Sequence, residues 1–321
     1  MIRVGLYGIN GHQIHNNLVA HPEARLVAVA GIPRDKLAPA QRDDASIRFH
    51  ASFSDLLADP EVDFVSLCSP RRADQAADAI LALRAGKHVL AEKPCALTEA
   101  ELDAIVATAR ETGKFFHEMA GSGFSHPYFA LREVVRTGVL GDIVQIISEK
   151  SYPYGDWRPQ DEAIDGGLIL QNAIHALRFV EHTAGVPIAS VRAVETTFGN
   201  PVAGGGLRMA SVLMLTLKNG GVASITANYL NQPGTEIWGD ESLKILGTRG
   251  LLEMRGGGKT SRLVIGDRDL GSVDLSSPGV SWLNTAFDEI LGRGTFPVTL
   301  AEELSPTRWV LRANLDAKRN S

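Results

Sequence analysis

Through the first 120 residues, short apolar runs alternate with amphipathic stretches. The runs "IRVGLYG", "ARLVAVAG", "VDFVSLCSP" and "KHVLAEKP" have the β-branched, apolar texture of buried strands and break at Gly or Pro. Between them lie the helical patterns "HQIHNNLVAHP", "FSDLLADP" and "DQAADAILALRAG", the last stopped by Gly86. "LTEAELDAIVATARETG" opens on Thr98 with Glu101 three residues on, the spacing of a reciprocal N-terminal cap. Apolar strands alternating with helices predict a parallel, doubly wound sheet.

From about residue 143 the pattern changes. "DIVQIISEKS", "IASVRAVETTFG", "ASVLMLTLKNGGVASITANYLN", "ESLKILGTRGLLEMRG" and "SRLVIGD" are strand-like, and "KNGG" has the Asn-Gly pair that tolerates a tight hairpin. One helix, "GGLILQNAIHALRFVEHT", interrupts them, and another covers "SPTRWVLRANLDAKRN". These patterns predict an α/β protein: a Rossmann-type domain over residues 1–120, then an α+β domain with a mostly antiparallel sheet over 121–321. No internal repeat or low-complexity linker is visible.

Composition narrows the function class. The 321 residues are 44% hydrophobic and 21% charged, as in an ordinary globular protein. A net charge of −5 offers no basic footprint for nucleic acid. Cys68 and Cys95 lack ligand or C-x-x-C spacing, so neither a disulfide framework nor a metal site is expected. No signal peptide or membrane-spanning run is read, and the expected location is the cytoplasm.

The turn in "GLYGINGHQIHN" resembles a dinucleotide turn with altered spacing. In G-x-G-x-x-G the second glycine admits the pyrophosphate and the third lets the helix pack on the strand. Counting from Gly8, these places hold Asn10 and Gln13, and Gly11 sits one place late. Asn10 tolerates left-handed backbone, whereas Gln13 is expected to push the following helix outward. The turn reads either as a nucleotide site, with a helix N-terminus at the phosphates, or as an ordinary strand-to-helix turn. At the end of the second strand, Gly31 replaces the acid that would select NAD. Arg34 then either pairs with a 2′-phosphate or is a solvated loop residue, so NADP is expected to be tolerated beside NAD.

Four segments resemble the Gfo/Idh/MocA oxidoreductases, the glucose-fructose oxidoreductase and inositol dehydrogenase family. Glu92-Lys93-Pro94 in "GKHVLAEKP" is similar to the family's EKP signature. "LLADPEVDFVSLCSP" resembles its third βαβ unit, "VVRTGVLGDIVQI" the start of its second domain, and "DWRPQDEAIDGGLILQNAIHALRFV" its W-R…G-G-x-L-x-D-x-x-x-H block. The resemblance implies a large open sheet in the second domain, a nicotinamide cofactor, and a sugar, polyol or related hydroxyl substrate. It places cofactor contacts at Gly8, Ile9, Asn10, Gly11, His12 and Gln13, at Ser69 and Pro70, and at Glu92 and Lys93, with Arg34 beside them. It assigns Lys93 to the nicotinamide and reacting hydroxyl, a cis turn to Pro94, and the acid/base role to His175. Several positions depart from the pattern: Gln171 stands where the family has an acid, so does Arg178, and the phosphate-turn glycines are altered as described.

Hydride transfer from an alcohol needs a base for the O–H proton and donors for its oxygen. His175 titrates in the useful range, Lys93 can stabilise a developing alkoxide, and Gln171 lies one helical turn before His175. Asn172 is expected to share in substrate binding. Tyr154, Trp157 and Arg158 are substrate candidates, though Trp157 and Arg158 read equally as interface packing. His12 and His15 read as turn or surface residues. Trp238, Asp240 and Glu241 belong to the pocket or to a subunit contact. The expected activity is an NAD(P)-dependent dehydrogenase or reductase on CH–OH groups. The alternative is a cofactor-binding relative without net alcohol oxidation: a sensor or regulator, or an NAD-assisted lyase or glycosidase. The apolar runs "SVLMLTL" and "VASITANYL" predict a homodimer or homotetramer formed through the second sheet.

Overall fold

The computed structural model describes residues 1–319; residues 320–321, which end the expected last helix and second domain, lie outside the described residues. The chain forms two compact units. The first comprises residues 1–120, 163–165 and 283–304; the second comprises 121–162, 166–282 and the described residues from 305 on.

The first unit is built on a parallel sheet of six strands: β1 (Ile2–Tyr7), β2 (Ala24–Ala30), β3 (Arg48–His50), β4 (Phe64–Leu67), β5 (His88–Ala91) and β6 (Phe116–Glu118). Their order is β3-β2-β1-β4-β5-β6, so the winding reverses between β1 and β4. β4 is buried on both faces, in keeping with a sequence that is apolar except for Ser66. The three-residue edge strands β3 and β6 carry no such run. β3 is pinned by Asp59, which accepts from Arg48 Nε at 2.6 Å and contacts His50 Nε2 at 2.9 Å.

The helix Glu99–Thr112 has the expected reciprocal cap: Glu101 N donates to Thr98 Oγ1, Thr98 N donates to Glu101 Oε2, and Gly113 ends the helix at φ +63°. "HQIHNNLVAHP" is not the expected α-helix. It forms a single 3₁₀ turn, His15–Leu18. Paired Asn16 and Asn17 compete locally for backbone hydrogen bonds and disfavour helix propagation.

The second unit carries an eight-stranded sheet: β7 (Ile143–Ser151), β8 (Ile188–Thr196), β9 (Ala210–Leu217), β10 (Val222–Asn228), β11 (Asp240–Gly247), β12 (Gly250–Arg255), β13 (Thr260–Ile265) and β14 (Arg268–Asp269). The order is β14-β13-β12-β11-β7-β10-β9-β8, and every pairing is antiparallel except β7 with β10. The "KNGG" turn joins β9 to β10, with Gly220 at φ +89°. One sheet face buries Leu213, Leu215 and Ile225, with the helix at 167–183 packed on β7, β10 and β11; the opposite face exposes Ile147, Val194, Val212 and Met214. That helix is α-helical over Ile174–Arg178 and flanked by π turns at Ile169–Ala173 and Phe179–Thr183. The helix Tyr128–Arg136 is amphipathic and was not among the expected elements. No helix of the described residues is long and apolar enough to cross a membrane.

Candidate active site

In the first unit, the expected cofactor residues gather at the carboxyl edge of the parallel sheet. Gly8 follows β1 at φ +68°, and a Cβ there would lie 2.1 Å from the Cys68 carbonyl oxygen. Only glycine permits this approach. The second positive φ falls on Gly11, at +131°, and not on Asn10. Asn10 instead uses its side-chain amide to reach the carbonyls of Pro70 and Ile164.

Gln13 does not push anything outward. Its Nε2 donates to Tyr7 O at 2.9 Å, Gly8 O at 2.8 Å and Ser66 O at 3.2 Å, while its Oε1 accepts from Ser66 Oγ at 2.8 Å. The side chain stitches β1 to β4 where the order reverses. A glycine was expected at this position so that a helix could pack close, but only the 3₁₀ turn follows. No α-helix N-terminus stands at the turn, so the expected dipole contribution there is absent.

Glu92, at the end of β5, is buried and accepts from His12 N at 2.6 Å, with His12 Nδ1 at 3.1 Å. Burial alone would raise its pKa; the His12 hydrogen bond and the nearby Lys93 and Arg72 charges instead hold it below the ordinary carboxylate range. Lys93 is buried beside it, and the Lys93–Pro94 bond is cis. Ser69 Oγ donates to Asp78 Oδ2 at 2.7 Å. Ile9 is exposed. Arg34 stands apart, its guanidinium 3.8 Å from the Phe49 ring centroid and Nη1 donating to Arg42 O at 2.7 Å. Gly31 follows β2 with no side chain to repel a phosphate.

Two residues not singled out in the sequence complete this edge. Buried Arg72 donates from Nη2 to Asn10 O at 2.6 Å and from Nη1 to Gln75 Oε1. Gln75 Nε2 donates in turn to the carbonyls of Glu92 and of Pro94. The loops after β1, β4 and β5 are thereby tied together. Their only sequence trace is an arginine pair directly after a buried strand. The order reversal, the glycine cradle at Gly8 and the carboxyl-edge loops are the features a dinucleotide requires, so these residues fit the group.

In the second unit, Gln171 and His175 are half-buried on a helix segment whose residues 172–174 are buried. His175 Nδ1 lies 3.3 Å from Ser122 Oγ. Gln171 Oε1 accepts from Tyr229 OH at 3.3 Å. Asn172 departs from expectation: it is wholly buried, and its Nδ2 donates to Asn228 O at 3.0 Å, which commits it to the sheet and not to a substrate.

Arg158 is buried over the Tyr229 ring, 3.8 Å from its centroid, and donates to Pro153 O from Nε and Nη2. Trp157 is exposed and stacks on Trp238 with centroids 6.0 Å apart; Tyr152 lies 6.2 Å from Trp238. Tyr154 is pushed up in pKa by desolvation and the adjoining Asp156. On the covered sheet face, Lys150 Nζ donates to Glu241 Oε1 at 2.7 Å, and Tyr128 OH donates to Glu241 Oε2. Burial, and then the charge of Glu241, drives the Tyr128 pKa up.

Comparison with known proteins agrees with this architecture. Residues 2–119 match the profile of the oxidoreductase family with an NAD-binding Rossmann fold, and residues 128–253 match the GFO/IDH/MocA C-terminal domain. Bovine (Bos taurus) trans-1,2-dihydrobenzene-1,2-diol dehydrogenase is 31% identical over 170 residues, covering 52% of this chain and 50% of the relative. The 1-carboxy-3-chloro-3,4-dihydroxycyclohexa-1,5-diene dehydrogenase of Comamonas testosteroni is 27% identical over 225 residues, 68% of this chain and 55% of the relative. The chain thus spans about half the length of the curated relatives it matches. A levoglucosan dehydrogenase solved with NADH and levoglucosan shares the fold, with TM-score 0.79 at 17% identity over 100% of this chain and 98% of that one. The two matched profiles together span most of the sequence, and the chain belongs to the Gfo/Idh/MocA family of oxidoreductases with an NAD-binding Rossmann fold.

Proposed function

We propose that the protein is an NAD(P)-dependent dehydrogenase or reductase acting on the CH–OH group of a sugar, polyol or cyclic diol. The observation that carries this reading is Glu92-Lys93-cis-Pro94 set at the sheet edge against the Gly8–Gln13 turn, with a buried lysine in the position of the family's signature. The named activities of the bovine and Comamonas relatives, both dehydrogenases of ring diols, support the substrate class.

The Gly8–Gln13 turn and the loops that Arg72 and Gln75 tie together would hold a nicotinamide cofactor, which would supply the hydride acceptor or donor for the CH–OH carbon. His175 takes the hydroxyl proton. The Ser122 hydroxyl at Nδ1 supports this role by holding the ring in one orientation. Lys93 donates to the hydroxyl oxygen and stabilises negative charge developing there. Residues 1–120 serve as the cofactor domain and residues 121–321 as the substrate domain. Gly31 and Arg34 allow NADP beside NAD; a strong preference for NAD that is unchanged in Arg34→Ala overturns that part. The exposed face of the second sheet, with Ile147, Val194, Val212 and Met214, pairs with further copies in a homodimer or homotetramer.

The test is a screen of polyols, aldoses and cyclic diols with both cofactors, followed by His175→Ala and Lys93→Ala on the best substrate. Each variant is expected to lose roughly 10²-fold or more in turnover. Near-normal turnover by His175→Ala removes it as the base. Cofactor binding without turnover of any substrate favours a sensor.

A further inference from the structure

Two cations of the second unit, one buried and one half-buried, are each matched by a carboxylate. Lys150 faces Glu241 at 2.7 Å, and Arg208 faces Glu195 at 3.2 Å. Arg158 differs from these: it is 8% exposed, and among the described residues no carboxylate pairs with it. A guanidinium cannot relieve burial by losing its proton, so it needs compensation from neighbours.

What surrounds Arg158 compensates one side. Nε and Nη2 donate to Pro153 O at 3.2 and 3.0 Å, and the ring faces of Tyr229 and Tyr152 lie 3.8 and 5.7 Å from the guanidinium carbon. None of these hydrogen bonds uses Nη1. A planar fork fixed by stacking, with one arm uncommitted, suits a carboxylate.

The neighbours indicate what carries that carboxylate. The hydroxyl of Tyr229, on whose face the guanidinium rests, donates to Gln171, one turn before His175. The residue before Arg158 is Trp157, stacked with Trp238 at an interplanar angle of 21°; both indoles are exposed. Gly155 makes room for this arrangement, since a Cβ there would lie 2.1 Å from the Trp157 ring. Exposed, preset aromatic faces bind the C–H face of a ring at small entropic cost.

We propose that Arg158 is the residue that recognises a substrate carboxylate, and that the substrate is an anionic cyclic hydroxy acid, of the uronate or dihydroxycyclohexadiene-carboxylate class. The proposal rests on the dehydrogenase reading for its choice of site, but its test does not depend on turnover.

Binding is measured by titration calorimetry on NADH-saturated protein with matched pairs: D-glucuronate and D-glucose, D-galacturonate and D-galactose, and a dihydroxycyclohexadiene carboxylate and the neutral diol. At least one acid is expected to bind about tenfold or more tightly than its neutral partner. The preference shrinks at about 0.5 M salt. It is lost in Arg158→Met and partly kept in Arg158→Lys, which holds the charge without the fork. Circular dichroism spectra and NADH affinity matching the wild type verify that both variants fold. Equal or tighter binding of every neutral partner, no binding of any acid at millimolar concentration, or full retention of the preference in folded Arg158→Met each overturns the proposal. An acid that binds through Arg158 but is never oxidised or reduced leaves it standing and removes the dehydrogenase reading instead.

Discussion

A Cβ on Gly11 would stand 2.4 Å from Cγ of Glu92 and 2.8 Å from its Oε2. The glycine that sits one place late in the turn is therefore fitted to the carboxylate of the family signature. Turn and signature are one packed object. Gly11→Ala must move Glu92 and also bear a strained φ of +131°. It is expected to cost roughly 1–3 kcal/mol of stability and to weaken NADH binding. Urea unfolding and a fluorescence titration measure the two effects; wild-type values in both would separate Gly11 from Glu92.

Asp59 supplies the pH-dependent case. Burial would raise its pKa, but Arg48, the backbone N–H of Glu61 and His50 outweigh it and bring the group from 3.8 to about 2. A carboxylate depressed on folding contributes stability that is fully present above its unfolded pKa and is lost as pH falls through the folded one. Asp59→Asn is expected to be about 1–2 kcal/mol less stable than wild type at neutral pH. The difference should close as pH falls from about 4 toward about 2. A gap of constant size in urea unfolding at pH 7, 4 and 3 would contradict this.

Gln171 marks the departure from the family acid. It makes neutral hydrogen bonds, so Gln171→Ala should cost tenfold at most in turnover, about the 0.5–1.5 kcal/mol of one such bond. Gln171→Asp places a charge one turn from His175 and favours the imidazolium. The acid limb of the rate profile should then move to higher pH. An unmoved limb would show that position 171 does not act on the imidazole.

Met214 lies on the exposed sheet face in β9, next to the edge strand, between Arg192 and Ser224 on the neighbouring strands. If copies associate there, Met214→Lys buries a charge in the contact. Light scattering should then report a smaller species than wild type. Equal masses would place the contact elsewhere or show that there is none.

The long central strands and the larger helices were legible because burial on both faces, or on one stripe, leaves a period in the sequence. β3 and β6 were not, since three-residue edge strands leave too short a pattern. The 3₁₀ turn at His15–Leu18 was misread as a helix, because apolar spacing outweighed the Asn16-Asn17 pair. Glu92, Lys93 and His175 were singled out through the family resemblance, and the structure sets Glu92 and Lys93 at the end of β5 and His175 on the second unit's helix. Arg72 and Gln75 act through backbone carbonyls brought together only by the fold, and a carbonyl partner leaves no trace in residue identity. Asn172 had the right spacing from His175, but the π turn and the sheet beneath it claim its side chain.

The two cysteines have a practical consequence. Cys68 and Cys95 are both fully buried, and burial, with the nearby Glu92 charge, pushes the Cys68 thiol up, away from the reactive thiolate. Toward a thiol reagent the folded protein should behave as though it had no cysteine, with both thiols becoming titratable only on denaturation. A single cysteine placed at exposed Leu230, the residue after Tyr229, could then carry a fluorophore or spin label while both indoles stay in place, and occupancy beside Arg158 could be followed optically without removing either natural thiol.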